Sequence, residues 1–195
     1  MRELTYFVAV SLDGFIAGPD GGDPSAWWPV TPAYLEHLVQ NYPETLPGPA
    51  RAALGIKEAG VHFDTVLEGR RSFDLGLAAG LPDAYPHLRH VVFSGSLDPS
   101  AHPDVEVVAT DPVGTVQQLK AEEGLGLWLV GGGTLAGALA SEIDRLVIKL
   151  APITLGSGTP LWGSAKPAGQ SWRLTDRVEL DGGALFLHYE RSDAS

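Results

Sequence analysis

Cysteine is absent from the sequence, and this excludes disulfide bonds, thiolate catalysis and cysteine-ligated metal centres. Long apolar runs are absent as well. No stretch approaches the roughly 20 residues that a helix needs to cross a bilayer, so we expect no membrane partner. The first residues carry no basic segment ahead of an apolar one. They therefore predict no signal peptide, and we expect a cytoplasmic protein.

Basic residues are scarce: 13 lysines and arginines stand against 24 acidic residues, for a formal net charge of −11. Because such a surface repels nucleic acid and anionic membranes, we expect no nucleic-acid partner. A phosphate-bearing ligand would need a local basic patch. The six histidines show no metal-ligand spacing such as His-Glu-x-x-His, so the sequence predicts no metal site. We interpret the histidines as surface or loop residues.

What is present is typical of one globular domain spanning residues 1–195, since 44% of the residues are hydrophobic. Thr31 and Asp111, each followed by proline, predict helix starts. The segments that predict strands are 4–10, 65–67, 90–94, 105–109, 127–130, 146–150, 172–174, 178–180 and 184–189, and the predicted helices are 33–41, 113–123 and 135–141. This alternation, closed by a hairpin signal at Asp181-Gly182-Gly183, predicts an α/β fold with a mostly parallel central sheet, flanking helices and an antiparallel C-terminal hairpin. Within 42–60 only a short helix near 50–57 is predicted.

The run Gly131-Gly132-Gly133-Thr134 follows a predicted buried strand and opens a helix. Glycines in such a turn let the backbone approach a pyrophosphate closely, and a helix start supplies amide donors. The spacing differs from the G-x-G-x-x-G fingerprint, so a Rossmann fold is not predicted. The alternative is a tight strand-to-helix turn that binds no ligand.

Gly69-Arg70-Arg71-Ser72 follows another predicted strand. Arginine forks suit phosphate oxygens, and Ser72 adds a hydroxyl at a helix start. The alternative is an exposed arginine pair bound to neighbouring acids such as Glu68. A third strand ends at Asp13-Gly14, which could be a plain turn. Because ligand sites collect at the carboxyl ends of strands in open α/β sheets, the three loops together predict a binding site.

In this order the motifs resemble the dihydrofolate reductase-like superfamily, in the branch of the bacterial riboflavin-biosynthesis reductase domain, the C-terminal domain of the bifunctional deaminase-reductase. The resemblance spans nearly the whole chain apart from 42–60. The matching segments are 9–17, 69–73, 92–95, 130–135, 143–146 and 152–162. The resemblance implies a dihydrofolate reductase-like fold and NADPH as cofactor.

The resemblance also implies roles for individual residues. Ala9 and Ile16 would border the nicotinamide, and Ser94 and Gly95 would lie near the adenosine 2′-phosphate. The phosphates would be received by Gly69, Arg70, Arg71 and Ser72. The glycine run would pass under the pyrophosphate together with Thr134 and Leu135, with a cis peptide between Gly131 and Gly132.

The expected substrate pocket departs from the folate enzymes, which carry an acid on the first helix. The matching place lies near Ala33-Tyr34, neither of which is acidic, so folate reduction is not predicted. Lys149 stands where those enzymes carry a hydroxyl residue. It would suit an anionic or phosphorylated substrate, or it is a snorkelling lysine at the sheet edge. Asp13, Trp28 and Tyr34 complete the predicted pocket, and the alternative for Trp28 is a place in the core.

We therefore expect an NADPH-dependent reductase that transfers hydride to a small heterocyclic or imine/carbonyl substrate, such as a ribosylaminopyrimidine phosphate or a pterin. No catalytic residue is assigned. The alternatives are a non-catalytic nucleotide-binding protein of the same fold, and a hydrolase using Ser94 or Ser11, for which the sequence shows no positioned base. The terminal hairpin and the apolar segment 152–162 predict a homodimer.

Overall fold

The computed structural model describes residues 1–21, 28, 30–165 and 169–192. In this part of the chain eight strands form one sheet in the order β5-β4-β3-β6-β1-β7-β10-β9. The first six of these strands are parallel, and β10 pairs antiparallel with both β7 and β9. The strands are β1 Leu4–Ser11, β3 Phe63–Gly69, β4 Arg89–Phe93, β5 Glu106–Val108, β6 Gly126–Gly131, β7 Arg145–Ala151, β9 Ser171–Glu179 and β10 Leu185–Ser192. The mostly parallel sheet with its antiparallel hairpin is confirmed.

The central strands are apolar along nearly their whole length because both faces of the sheet are covered. In β1, Tyr6 and Val8 belong to the core on one face and Phe7 to the core on the other. Helices α4 (Pro112–Ala121) and α5 (Gly133–Ala138) pack on the first face, and α1 (Pro32–Asn41) packs on the second. The remaining helices are α2 (Gly48–Leu54) and α3 (Arg70–Ala78).

Side-chain caps fix two helix starts where the sequence predicted them. The Thr31 hydroxyl accepts a hydrogen bond from the backbone N–H of Tyr34 at 3.1 Å, and the Asp111 carboxylate accepts one from Gly114 at 2.9 Å. Each cap satisfies a backbone donor that the first helical turn leaves free.

The tail and the uncertain segment differ from the sequence-based prediction. The strands predicted at 172–174 and 178–180 form one continuous strand, β9, because β10 pairs along its whole length with one register shift between His188 and Tyr189. The short helix predicted near 50–57 lies earlier, at Gly48–Leu54. Within the described residues, no helix is both long and apolar enough to cross a membrane.

A second, two-stranded sheet lies close to the carboxyl end of β1. Strand β2 (Phe15–Ala17) pairs antiparallel with β8 (Thr159–Pro160). This pairing brings the 152–162 segment back to the turn that follows β1. The loops after β1, β3 and β6 therefore share one end of the main sheet with this small sheet.

Candidate active site

A cavity of about 840 Å³ opens at the carboxyl ends of the parallel strands. This volume lies within the range of small-molecule and cofactor sites. Every residue that the sequence predicted to border the cofactor lines it, namely Ala9, Ile16, Gly69, Arg70, Arg71, Ser72, Ser94, Gly95, Gly131, Gly132, Gly133, Thr134 and Leu135. The structure therefore brings four separate segments together around one space, while their roles toward a cofactor stay predictions.

The glycine run touches its surroundings differently at each position. The peptide bond between Gly131 and Gly132 is cis, and Gly131 has a φ of 142°. A Cβ added at Gly133 would lie 2.3 Å from the carbonyl oxygen of Pro160, whereas one added at Gly132 would come no closer than 3.9 Å to Ser72 Oγ. Gly133 is thus required by packing within the protein, and the backbone at Gly132 is left open to an approaching group.

Helix α3 begins directly beside the glycine run. A Cβ on its N-cap residue, Gly69, would lie 3.7 Å from the backbone nitrogen of Gly132. Gly69 has no side chain with which to cap the helix, and the first turn contains no acidic residue. The first backbone N–H groups of this nine-residue helix are therefore free to bind an anion.

The two arginines at this helix start have different partners. Arg70 Nε donates to Asp74 Oδ1 at 2.7 Å, so Arg70 does bind a neighbouring acid, although that acid is Asp74 and not Glu68. Arg71 is exposed and forms no ion pair with any described residue. Both side chains line the cavity, which gives this wall a positive charge in an otherwise acidic protein.

Ser94 and Gly95 follow β4 on the same wall. The Ser94 hydroxyl oxygen accepts from the backbone N–H groups of Ser96 and Leu97, at 3.3 and 3.1 Å, and holds the turn. Ser11 Oγ donates to Asp13 and accepts from Phe15. Neither hydroxyl is hydrogen-bonded to a histidine within the described residues, so the geometry shows no serine–histidine pair for hydrolysis.

The residues predicted for the substrate pocket separate into two groups. Trp28 and Lys149 line the cavity, whereas Asp13 and Tyr34 do not. The Asp13 carboxylate accepts from Ser11 Oγ and from the backbone of Leu155 and Gly156, and these bonds lower its pKa. Asp13 therefore ties the loop after β1 to the loop after β7. The ring of Tyr34 packs 5.3 Å from that of Phe186, away from the cavity.

Lys149 lies in the middle of the sheet. Its strand, β7, is paired on both sides, with Ala9 as its register partner in β1 and Phe186 in β10, so the interpretation of a snorkelling lysine at the sheet edge is wrong. Its Nζ lies 4.3 Å from the centroid of the Phe7 ring. Burial disfavours the ammonium and lowers the pKa of Lys149 to about 8.

Sequence reasoning missed a buried polar cluster formed by Glu68, His90 and Asp83. His90 Nε2 lies 2.7 Å from Glu68 Oε1, and His90 Nδ1 lies 2.7 Å from Asp83 Oδ1. Burial alone would lower the pKa of His90, but hydrogen bonds and charges from Glu68 and Asp83 outweigh it and raise the pKa. The interpretation of His90 as a surface or loop residue is therefore wrong, since its side chain is only 1% exposed.

This cluster borders the cavity through Glu68, which lines its wall together with Tyr85, Thr45 and Pro47. One oxygen of Glu68, Oε1, is held by His90. The available signal in the sequence was an ionisable residue within each of two apolar strands, Glu68 in β3 and His90 in β4. A buried acid and a buried histidine usually need each other as partners.

A mostly parallel sheet with a cavity along its strand ends and an antiparallel terminal hairpin defines a dihydrofolate reductase-like α/β protein. The chain belongs to the RibD C-terminal domain family, whose model matches residues 2–186. This domain is the reductase part of riboflavin biosynthesis enzymes, and the expected family is thereby confirmed.

The chain is similar to the uncharacterized protein YwjB of Bacillus subtilis, with 26% identity over 98% of this chain and 99% of the relative. A putative riboflavin biosynthesis protein from Shewanella has the same fold, with a TM-score of 0.69 and 23% identity over 99% of this chain and all of that one. A deaminase/reductase from Thermotoga maritima matches over 98% of this chain and 57% of its own length, with a TM-score of 0.65 and 15% identity.

Proposed function

We propose that this protein is an NADPH-dependent reductase that transfers hydride to a small heterocyclic or imine/carbonyl substrate. Ribosylaminopyrimidine phosphates and pterins are the two candidate classes. The observation that carries the proposal is the cavity at the strand ends, lined by every residue expected to border the cofactor. Family membership supports it, because RibD reductase domains in general use NADPH.

The residues present fit a dinucleotide. Arg70, Arg71 and the free backbone N–H groups at the start of α3 would hold phosphate groups, and the open backbone at Gly132 would lie against the pyrophosphate. Ala9 and Ile16 would form an apolar border for the nicotinamide. NADPH supplies the hydride when bound, and the protein supplies orientation and electrostatics.

Calorimetric titration with NADPH and with NADH tests the cofactor. One charge-assisted contact to the 2′-phosphate, worth about 1.5–3 kcal/mol, gives at least a roughly tenfold preference for NADPH. Arg71→Gln should reduce this preference. Arg173→Gln is the matched control, because Arg173 is 67% exposed and lies outside the cavity. Equal affinity for the two cofactors in the wild-type protein would contradict the proposal.

Turnover is tested separately, by following NADPH absorbance with a panel of pterins and aminopyrimidines. Oxidation of NADPH that depends on one of these compounds is the expected result. Tight NADPH binding without turnover of any compound would instead favour a non-catalytic nucleotide-binding protein. A cytoplasmic location stays a prediction.

We also propose a homodimer that pairs through the terminal hairpin. Strand β9 is the edge of the main sheet and is exposed along most of its length, with Leu174 47% exposed. An uncovered edge favours pairing with a second chain. Leu161 and Trp162 pack against this chain's own core, so the proposal rests on the edge strand rather than on the 152–162 segment.

A further inference from the structure

Lys149 is a cation inside the cavity with no carboxylate partner among the described residues. Among the described residues, no carboxylate oxygen lies within 4.0 Å of Lys149 Nζ. The Nζ atom instead lies over the face of the Phe7 ring, 4.3 Å from its centroid. Lys120 shows the contrasting arrangement, since its Nζ lies 2.6 Å from Asp144 Oδ2 and donates to a backbone carbonyl. Lys149 is half-buried, and an ammonium partly removed from water without a counter-ion is unfavourable, so the site favours an anionic partner from outside the chain.

The walls around this end of the cavity are apolar. Phe7, Ala9, Trp128 and Val130 lie on the same face of the sheet as Lys149 and line the cavity with it. Flat aromatic and aliphatic surfaces of this kind accept a planar ring, while a single ammonium can neutralise one negative charge. A phosphate dianion would need more donors than this end provides, and the cavity has its arginines at the other end.

A negatively charged residue, Glu68, lies across the cavity from Lys149. Glu68 is in β3, three strands away from Lys149 in the order β3-β6-β1-β7, so their Cα atoms are separated by about 14 Å at ordinary strand spacing. The Glu68 carboxylate repels a negative group that lies next to it on the sheet face it shares with Lys149. The two charges together therefore orient an anionic ligand with its negative group toward β7.

We infer that Lys149 anchors an anionic oxygen, a carboxylate or an ionised ring oxygen, on a planar substrate that lies over Ala9 and Val130. The inference rests on the proposed function in one respect: Ala9, expected to border the nicotinamide, is the strand neighbour of Lys149 and would place the anchored ring beside the cofactor. The substrate class is then a planar heterocycle carrying one negative charge, rather than a neutral ring.

Two probes of the same shape test the anchor, 2-naphthoate and 2-naphthamide, titrated calorimetrically at pH 7 in the presence of saturating NADP⁺. The wild-type protein should bind the carboxylate at least about tenfold more tightly than the amide, because a charge-assisted contact has about that effect. Lys149→Met should abolish the difference. Lys57→Met is the control and should retain it, because Lys57 is exposed and lies outside the cavity.

The pH dependence separates an anchor from a structural lysine. Affinity for 2-naphthoate should fall as the pH rises through the pKa of Lys149 in the free protein, about 8, whereas an ordinary lysine would stay charged to about 10. The other titratable groups near this end are Tyr34 and His37 on α1, and Glu68 and Tyr85 on the far wall. Because Lys149→Met keeps these groups, the affinity of that variant for 2-naphthoate at each pH corrects for their titration.

Equal affinity for the two probes in the wild-type protein, or a preference unchanged by Lys149→Met, would overturn the anchor. Lys149→Gln provides a second variant should the methionine variant fold poorly. NADPH titration of the same variants keeps the two proposals apart. If the protein prefers 2-naphthoate to 2-naphthamide but does not bind NADPH, the cofactor proposal is overturned and the anchor remains. If it binds NADPH but has equal affinity for the two probes, the anchor is overturned and the cofactor proposal remains.

Discussion

Replacing His90 with alanine should strongly destabilise the protein. The side chains of His90 and Glu68 are 1% and 5% exposed, so removal of the imidazole leaves a carboxylate almost without water or a counter-ion. Breaking a buried charge pair from one side costs about 3–5 kcal/mol. For a domain of this length that corresponds to a fall in Tm of roughly 6–20 °C, measurable by thermal unfolding alongside urea titration.

The same cluster sets the sign of a pH effect. Because the pKa of folded His90 is raised, its ionised form contributes stability that is fully present below the unfolded pKa, about 6.5. This contribution is lost as the pH rises through the folded pKa. The stability difference between wild type and His90→Ala, from urea unfolding at several pH values between about 5.5 and 9, should therefore shrink toward high pH. Taking the difference removes the titration of Lys149, which both proteins share.

Glu106→Gln is the matched control for Glu68→Gln, because it removes the same charge from an acid in an exposed ion pair. Glu106 binds Arg89 at 2.9 Å, with the two side chains 46% and 40% exposed, and surface pairs of this kind contribute about 0–1 kcal/mol. Glu68→Gln should cost considerably more than Glu106→Gln. Equal small costs for the two substitutions, together with a flat pH difference for His90→Ala, would refute the assignment of Glu68, His90 and Asp83 as a buried charged cluster.

Three further predictions concern the glycine run, the substrate and the assembly. Gly133→Ala should lower Tm, because the added Cβ would lie 2.3 Å from the carbonyl oxygen of Pro160. Gly132→Val should fold but should bind NADPH more weakly in a calorimetric titration. Normal NADPH binding by Gly132→Val would remove this loop from the proposed site. Dihydrofolate should be turned over slowly or not at all in an NADPH absorbance assay, and rapid turnover would point to an unrecognised acid, with Glu68 the first to test. Light scattering with gel filtration should give a dimer, and a mass of 20.6 kDa across the micromolar range would end that proposal.

Local signals were sufficient where a structural element depends on its own residues. The Thr31 and Asp111 caps were predicted because a side-chain oxygen followed by proline satisfies a helix start without help from elsewhere. The segment 42–60 could not be predicted because distant partners hold it. The Glu44 carboxylate accepts from the backbone of His62 and Phe63, its carbonyl oxygen lies 2.9 Å from His87 Nε2, and the N–H of Gly48 donates to the carbonyl of Ala84.

The grouping of these motifs along one cavity wall was predictable for a related reason. Loops that leave parallel strands at their carboxyl ends must share one edge of the sheet, so their motifs could be grouped without knowing the strand order. Prediction of the Glu68–His90 pair, in contrast, would have required knowledge of the strand order. The two residues are 22 apart in the chain and meet only because β3 and β4 are adjacent, with Val66 as the register partner of His90.

The distribution of the few cations adds an argument that composition alone could not supply. Acidic residues outnumber basic ones 24 to 13, so a cation on this protein has many carboxylates available. Arg2, Arg89, Arg145 and Arg173 each bind at least one acid. Among the described residues six cations form no ion pair, and two of them, Arg71 and Lys149, line the cavity, whereas Arg51, Lys57, Arg177 and Arg191 do not. Two cations without ion-pair partners in one cavity favour anionic groups there, which the acidic remainder of the surface repels.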